Sequence, residues 1–325
     1  MLKSHKIISI SLFIILAIFL VGAVKLFILR FDAGDIYPPY SSLRSDPLGT
    51  RAFYDSLENM KPVFTSRNYQ SLSRVICEKG TTFFRLGVLS DEMTSTREDI
   101  FKAFNRFAST GGRLVISFLP QSKISLKKGK CQYPATNPDK GTDQKKKGSK
   151  GRKGEQEKAL GRFVSITERW GLGFGYDKRP NYSERAKKVQ GAGKETLPDS
   201  ISWHTALYFK NLKGLWKVIY THMGHPVILE RSLGRGTIVL SADSYFLSNE
   251  ALREKRYPGL LFWLQGGNAN MVFDESHFGI QKRLGTADLI SRYGLYPFFA
   301  GVILLAGLFV WKNSVSFIKP THEDP

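Results

Sequence analysis

The residues best suited to chemistry lie near the end of the central region, in the run Asp274-Glu275-Ser276-His277. Two carboxylates and an imidazole can exchange protons with a substrate, or can bind one divalent cation. In an extended strand Asp274 and Ser276 face one side and Glu275 and His277 face the other, so the three groups converge only where the chain turns. The run therefore has three interpretations: hydrogen bonding to loop backbones, contact with a ligand or partner, and catalysis.

Asp46 and Thr50 are the other polar candidates, and they lie just before an amphipathic stretch. Apolar residues recur there at helical spacing, which predicts that a helix follows this loop. Short polar side chains at such a position usually accept hydrogen bonds from the first N–H groups of the helix. Capping is therefore the first interpretation of Asp46 and Thr50, and an anion site at the helix N-terminus is the alternative.

Covalent catalysis and metal binding have weaker signals. Cys77 precedes an apolar strand and Cys131 lies in a lysine-rich segment, so neither lies on the strand-to-helix turn that positions a nucleophile. His222 and His225 flank a hairpin turn, where turn polarity explains them better than a metal site does. We expect no catalytic cysteine, no resident metal and no cofactor, and whether the two cysteines pair is left open.

These residues must be positioned by the elements of the central region, where helical and strand-like segments alternate. Such alternation predicts a parallel sheet with helices on both faces. Farther along, shorter strand-like runs separated by turn residues predict a β-meander. The strand-like runs are 60–65, 84–89, 113–118, 216–220, 226–230 and 236–241. We therefore predict one α/β domain over residues 31–290.

Residues 121–160 interrupt this pattern. From Lys123 to Lys158 there are 12 Lys and Arg and four Asp and Glu, so the segment contributes 12 − 4 = +8 to a formal net charge of +20 for the whole chain. With few large apolar residues it cannot offset the entropy of ordering, so we predict a disordered insert. It is either a solvated charged loop or a contact for anionic lipid or another polyanion. Tyr133 is its only aromatic residue, which argues against specific nucleic-acid recognition.

Two apolar runs lie near the ends of the chain. Ile7–Val24 has 18 residues without a charge, and Leu295–Trp311 has 17. At about 1.5 Å per residue the first spans about 27 Å, close to the thickness of a bilayer core. They predict transmembrane helices at 7–29 and 293–311. A cleaved signal peptide is the alternative for the first run, and a buried core helix is the alternative for the second.

Positive residues in the short tails 1–6 and 312–325 predict the orientation of such a protein. The positive-inside rule places both tails in the cytoplasm. The central domain would then lie outside the cytoplasm, and membrane lipids would be among its partners. A composition that is 42% hydrophobic and 23% charged excludes a collagen, a wholly disordered chain and a polytopic transporter.

Several segments together resemble a known family, the domain-of-unknown-function family 4350. They are SSLRSDPLGTRA (41–52), GGRLVI (111–116), GRGTIVLS (234–241), FLSNE (246–250) and FDESHFG (273–279). The resemblance covers nearly all of residues 31–312 apart from the insert. It implies a flavodoxin-like sheet, similar to class I glutamine amidotransferases, in a protein of the bacterial cytoplasmic (inner) membrane. It also implies a protein partner, with a MoxR-type AAA+ ATPase system as the one that the resemblance suggests.

The amidotransferase reaction needs a cysteine on a strand-to-helix elbow, and this sequence has none there. We therefore expect a non-enzymatic interaction or sensory component of a bacterial envelope complex, with Asp274, Glu275, His277, Asp46 and Thr50 as candidate ligand or partner contacts. One alternative is a hydrolase or metal-dependent enzyme that uses Asp274, Glu275 and His277. Another is a module that binds anionic lipid or polyanions through the basic insert.

Overall fold

A computed structural model describes residues 15–16, 18–23, 25–26, 37–72, 79–121, 162–178, 184–191, 195–214, 216–280 and 296–314. The chain divides into two compact units, Met1–Ile280 and Gln281–Pro325. Most of the predicted insert, together with Cys77 and Cys131, lies outside the described residues. Gln121, its first residue, is described and buried: its N–H donates to Thr205 Oγ1 over 3.0 Å, and its carbonyl accepts from the N–H of Ala206 over 3.0 Å.

Strands and helices alternate along the first unit. The described strands are β1 (Phe64–Asn68), β2 (Thr81–Val88), β3 (Thr96–Arg97), β4 (Arg113–Phe118), β5 (Phe163–Val164), β6 (Gly173–Tyr176), β7 (Ala186–Lys188), β8 (Ser200–Ile201), β9 (Leu207–Lys210), β10 (Lys217–His222), β11 (His225–Leu233), β12 (Gly236–Ser241) and β13 (Asn270–Asp274). The α-helices of this unit with defined bounds are α1 (Arg51–Glu58), α2 (Ser90–Thr94), α3 (Glu98–Ser109), α4 (Ile166–Trp170), α5 (Asn249–Glu254) and α6 (Pro258–Gln265), and the second unit has α7 (Tyr296–Ser314). Residues 15–16, 18–23 and 25–26 are also helical. Single 3₁₀ turns occur at Tyr245–Leu247 and Ser276–Phe278.

A nine-stranded mixed sheet with the order β1-β13-β2-β4-β12-β11-β10-β7-β8 forms the centre of the first unit. The strands from β1 to β12 in this order are parallel, and those from β12 to β8 are antiparallel. All six residues of β4 and seven of the eight in β2 are buried, as expected for parallel strands that are covered on both faces. The fold is therefore mixed α/β, and its antiparallel half contains the predicted meander.

Phenylalanine side chains attach helices to both faces of the parallel half. Phe83 and Phe84 are successive residues of β2, so their side chains point to opposite faces. Phe84 contacts Phe53 of α1 with ring centroids 5.4 Å apart, and Phe83 contacts Phe107 of α3 at 5.7 Å. Phe273 of β13 also packs on Phe84, at 5.0 Å. The last two residues of β13 are buried as a result.

The prediction that transmembrane helices flank this domain is wrong. No helix within the described residues is both long and apolar enough to cross a membrane. In the second unit, α7 has 19 residues, but its last three are Lys312, Asn313 and Ser314, which leaves 19 − 3 = 16. A span needs about 20 predominantly apolar residues. The predicted two-pass placement therefore rests on no helix of the described residues. Of the predicted tails and spans, residues 1–14, 17, 24, 27–29, 293–295 and 315–325 lie outside the described residues.

Candidate functional site at the carboxyl edge of the parallel strands

The Asp274-Glu275-Ser276-His277 run lies where β13 leaves the sheet. Asn68 of β1 is in register with Asp274 of β13, so both strands end at the same edge. The chain then enters the 3₁₀ turn at Ser276–Phe278. This turn brings His277 Nδ1 to 3.5 Å from Asp274 Oδ2, while Glu275 points to a different set of partners. The structure thus joins two of the three groups and separates the third.

Asp274 is buried, and both of its carboxylate oxygens have partners. Its Oδ2 pairs with the Arg85 guanidinium at 2.5 Å, and its Oδ1 accepts from the hydroxyl of Ser276 over 2.6 Å and from the Asn68 amide over 3.3 Å. Burial would raise the pKa of Asp274, but the Arg85 guanidinium, and after it His277 and Ser276, hold this pKa below its usual 3.8. Asp274 is therefore held in its charged form beside Arg85 and is a poor general acid.

His277 is held between a backbone carbonyl and Asp274. Its Nε2 donates a hydrogen bond to the carbonyl of Leu86 over 2.9 Å, because a carbonyl can only accept. Its Nδ1 is buried and has no hydrogen-bond partner among the described residues, although it lies beside the Asp274 carboxylate. Both ring nitrogens therefore face the protein interior, where the ring joins β2 to the turn after β13.

Glu275 joins this edge to the loop at 37–50. One carboxylate oxygen accepts from Ser41 Oγ over 2.6 Å, and the other accepts from the N–H of Ser42 over 2.8 Å. The Glu275 N–H donates to the Asn68 carbonyl over 2.8 Å. Arg67 completes the set, since its Nε donates to Ser42 Oγ over 2.8 Å. We call Glu275, Ser41, Ser42 and Arg67 the Glu275 latch.

Asp46 and Thr50 do not cap the following helix with their side chains, which corrects the first interpretation of these residues. Thr50 occupies the N-cap position of α1, but its hydroxyl donates to the Tyr40 carbonyl over 3.0 Å. Asp46 forms a two-pronged ion pair with Arg44 and accepts from the Leu48 N–H over 3.1 Å. Both residues therefore shape the 37–50 loop itself.

The cap of α1 comes from a distant residue that the sequence patterns did not identify. Asn249, at the start of α5, accepts from the Ala52 N–H over 2.8 Å. Its amide also donates to the carbonyls of Arg44 and Asp46, over 3.1 and 2.6 Å. Arg67, Arg85, Ser41 and Ser42 were missed for the same reason. Their partners are more than 20 positions away in the chain, and no local spacing reveals such pairs.

The described residues contain no group of three or more His, Cys, Asp and Glu side chains that could hold a metal ion. His222 and His225 have separate partners: His222 donates to the Glu184 carbonyl over 3.1 Å, and His225 Nε2 lies 3.4 Å from Asp177 Oδ1. At the carboxyl edge the charged side chains form ion pairs and hydrogen bonds within the protein, and those of Glu275 hold the 37–50 loop.

Comparisons with solved structures give distant similarities. A β-galactosidase from Bacillus circulans sp. alkalophilus is 14% identical over 58% of this chain and 23% of its own, with a TM-score of 0.31. A cytoplasmic protein from Salmonella typhimurium LT2 is 9% identical over 68% and 87%, with a TM-score of 0.40. The mmIFT52 N-terminal domain is 10% identical over 66% and 89%, with a TM-score of 0.39. This chain spans less than a quarter of the length of the β-galactosidase.

Comparison with curated proteins finds no match. The family model described as "Domain of unknown function (DUF4350)" matches residues 40–264, which is more than half of the chain. The matched range begins within the 37–50 loop and includes Asn249 as well as the parallel strands β1, β2, β4 and β12. On this evidence the chain belongs to the DUF4350 family.

Proposed function

We propose that this protein is a non-enzymatic interaction component whose 37–50 loop contacts a protein partner. The observation that supports the proposal is the Glu275 latch. The side chains of the three residues that could have served catalysis are buried among intramolecular partners, and those of Glu275 set the position of the 37–50 loop. A buried carboxylate saturated by a hydroxyl and a backbone N–H is suited to holding a surface in shape.

The outer side of the 37–50 loop has the chemistry of a contact surface. Leu48 is 38% exposed there, beside the Arg44–Asp46 ion pair. An exposed apolar side chain next to a charged pair resembles the centre and rim of many protein interfaces. The family resemblance suggests a MoxR-type AAA+ ATPase as the first partner to examine.

A binding experiment with the purified ATPase and the full chain tests this proposal. We expect Leu48→Ser to weaken binding about tenfold, measured by isothermal titration calorimetry. Phe262→Ser is the matched control, since Phe262 is 50% exposed on α6 and lies outside the loop. Equal affinities for the two variants would contradict a role for the loop, and no binding by the unaltered chain would exclude this partner.

The enzymatic alternative requires Glu275 to break its hydrogen bonds to Ser41 and Ser42. If the protein hydrolyses a substrate with these residues, Glu275→Ala and His277→Ala would each abolish turnover and leave partner capture intact. If instead the latch supports an interface, Glu275→Ala would weaken binding of the protein partner.

A further inference from the structure

A cavity beside the carboxyl end of β12 shares no residue with the Glu275 latch. The space inside it that is open to a water-sized sphere is about 50 Å³, which is room for a few water molecules or for one very small ligand. The side chains that matter for its chemistry are Ser202, His204, Tyr245, Glu254, Lys255 and Tyr257. They come from the segment after β8, from the 3₁₀ turn after β12, and from the residues that join α5 to α6.

Behind the cavity wall lies Asp243, which is completely buried. It accepts hydrogen bonds from the backbone N–H groups of His204, over 2.9 Å, and Tyr245, over 2.7 Å. Among the described residues, its only basic side-chain neighbour within 4 Å is His204, whose Nδ1 lies 3.8 Å from Oδ2. Asp243 thus fixes the backbone of a cavity-lining histidine and lies close to its ring.

His204 has one hidden and one accessible side. Nδ1 is buried and has no hydrogen-bond partner among the described residues, whereas the side chain as a whole is 35% exposed. The accessible edge is therefore the one that carries Nε2. With its proton on Nδ1, facing Asp243, the ring offers Nε2 to the cavity as a hydrogen-bond acceptor.

The two ends of the cavity differ in charge. At the His204 end, the ring packs against Tyr245 at a tilt of 38° with centroids 3.8 Å apart, and Glu254 and Glu250 both act electrostatically on these two side chains. At the other end, Lys255 lies 5.7 Å from the centre of the Tyr257 ring. The Tyr257 hydroxyl accepts from Arg185 over 3.1 Å and from the Ser202 N–H over 3.0 Å. One end therefore favours a cation and the other favours an anion.

We propose that this cavity binds a small zwitterion, a free amino acid by chemical class. Its ammonium group would donate to His204 Nε2 and Glu254, beside the Tyr245 ring, and its carboxylate would lie near Lys255 and Ser202. Charge-assisted hydrogen bonds at both ends select a ligand that carries both charges. The limited volume restricts the side chain of that ligand, and the aromatic wall at the His204 end suits an ammonium group.

Calorimetry of the full chain with L-alanine, propionate and ethylamine tests the proposal, because the two control compounds each keep one charge on a similar carbon skeleton. We expect alanine to bind about tenfold more tightly than either control compound. The imidazole C–H resonances of His204 should shift when alanine is added, as read by nuclear magnetic resonance. Equal affinities for the three compounds, or no binding of alanine at tens of millimolar, would overturn it.

Substitutions at the rim test which end of the cavity binds the ammonium group and which binds the carboxylate. Glu254 and Lys255 are exposed, so Glu254→Gln and Lys255→Met should leave the fold intact. Each should weaken alanine binding about threefold or more, because exposed charges are partly screened. Lys255→Met should leave ethylamine binding unchanged, and Glu254→Gln should leave propionate binding unchanged. Glu58→Gln and Lys79→Met, at exposed positions outside the cavity, are the matched controls. An effect of the control substitutions equal to that of the rim substitutions would overturn the assignment.

Discussion

At the scale of single residues, the Asp274–Arg85 pair is a buried ion pair at the carboxyl edge. The Asp274 side chain is fully buried and that of Arg85 is only 13% exposed. Removing one member of a buried ion pair leaves the other charge without compensation, which costs about 3–5 kcal/mol. We expect Asp274→Asn to lower the free energy of unfolding by about 3 kcal/mol, measured by urea denaturation.

The matched control for this substitution is Asp55→Asn. Asp55 pairs with Arg51 at the surface of α1, and both side chains are about half exposed. Exposed pairs of this kind contribute about 0–1 kcal/mol. A loss below about 1 kcal/mol for Asp274→Asn would show that the pair does not stabilise the edge.

Asp243 gives the stability of the protein an unusual pH dependence. Burial raises its pKa from 3.8 to about 7, and three backbone N–H groups only partly oppose this. Between about pH 4 and pH 7 the folded protein therefore holds a proton that the unfolded chain has lost. Its free energy of unfolding should fall as the pH rises through this window, by at most about 1.4 kcal/mol per unit, and this contribution should stay constant above it.

Urea denaturation at several pH values checks this expectation. Asp243→Asn should flatten the slope between about pH 4 and pH 7. The pKa of Asp274 is lowered, so its contribution is present above about pH 4 and is lost only in stronger acid. The two groups can therefore be separated by pH, and an unchanged slope in the Asp243 variant would contradict the assignment.

At the scale of elements, Asn249 couples three pieces of structure. It caps α1 and holds two carbonyls of the 37–50 loop from the first position of α5. Loss of an N-cap costs about 0.5–2 kcal/mol, and the loop carbonyls would lose their donor as well. We expect Asn249→Ala to destabilise the protein by about 2 kcal/mol in thermal denaturation. Asn59→Ala, at the exposed C-terminal end of α1, should change it by less than about 0.5 kcal/mol.

The Glu275 latch should control the opening of the 37–50 loop. Ser41→Ala leaves a buried carboxylate oxygen without its hydroxyl donor, at a cost of about 1–3 kcal/mol. We expect faster amide hydrogen exchange at Ser42 and Leu43, with little change in the central strands. Ser56→Ala, at an exposed position of α1, is the control, and equal exchange in the two variants would argue against the latch.

Elements specified by local patterns were predictable, whereas their long-range partners were not. The predicted strand at 113–118 coincides with β4. Two glycines end the helix just before it, and the apolar run that follows them defines the strand. The strand predicted at 60–65 instead begins at Phe64, since the chain turns at Met60–Val63 after α1. Asp274 and Glu275 were identified by residue type, but their partners Arg85 and Ser41 lie 189 and 234 positions away.

At the scale of the whole molecule, charge is concentrated in residues 122–161, which lie outside the described residues. Replacing them with a short Gly-Ser linker would lower the formal charge from +20 to 20 − 8 = +12. If this segment binds polyanions, the shortened protein should elute from heparin at clearly lower salt. A variant with a scrambled segment of the same composition should elute like the unaltered protein. Unchanged elution after the replacement would contradict polyanion binding through the segment.

The Glu275 latch also has a mechanical consequence. It joins Ser41 and Ser42 to a residue more than 230 positions later, which lies near the end of the first compact unit. A tensile force transmitted through the chain before Tyr37 and after Ile280 would reach these few hydrogen bonds before it reached the central strands. The latch and the Asn249 hydrogen bonds would then yield first and release the 37–50 loop while the sheet stayed folded. Under tension the domain would extend in two separate steps, and side chains distant from the loop in the sequence would set the first.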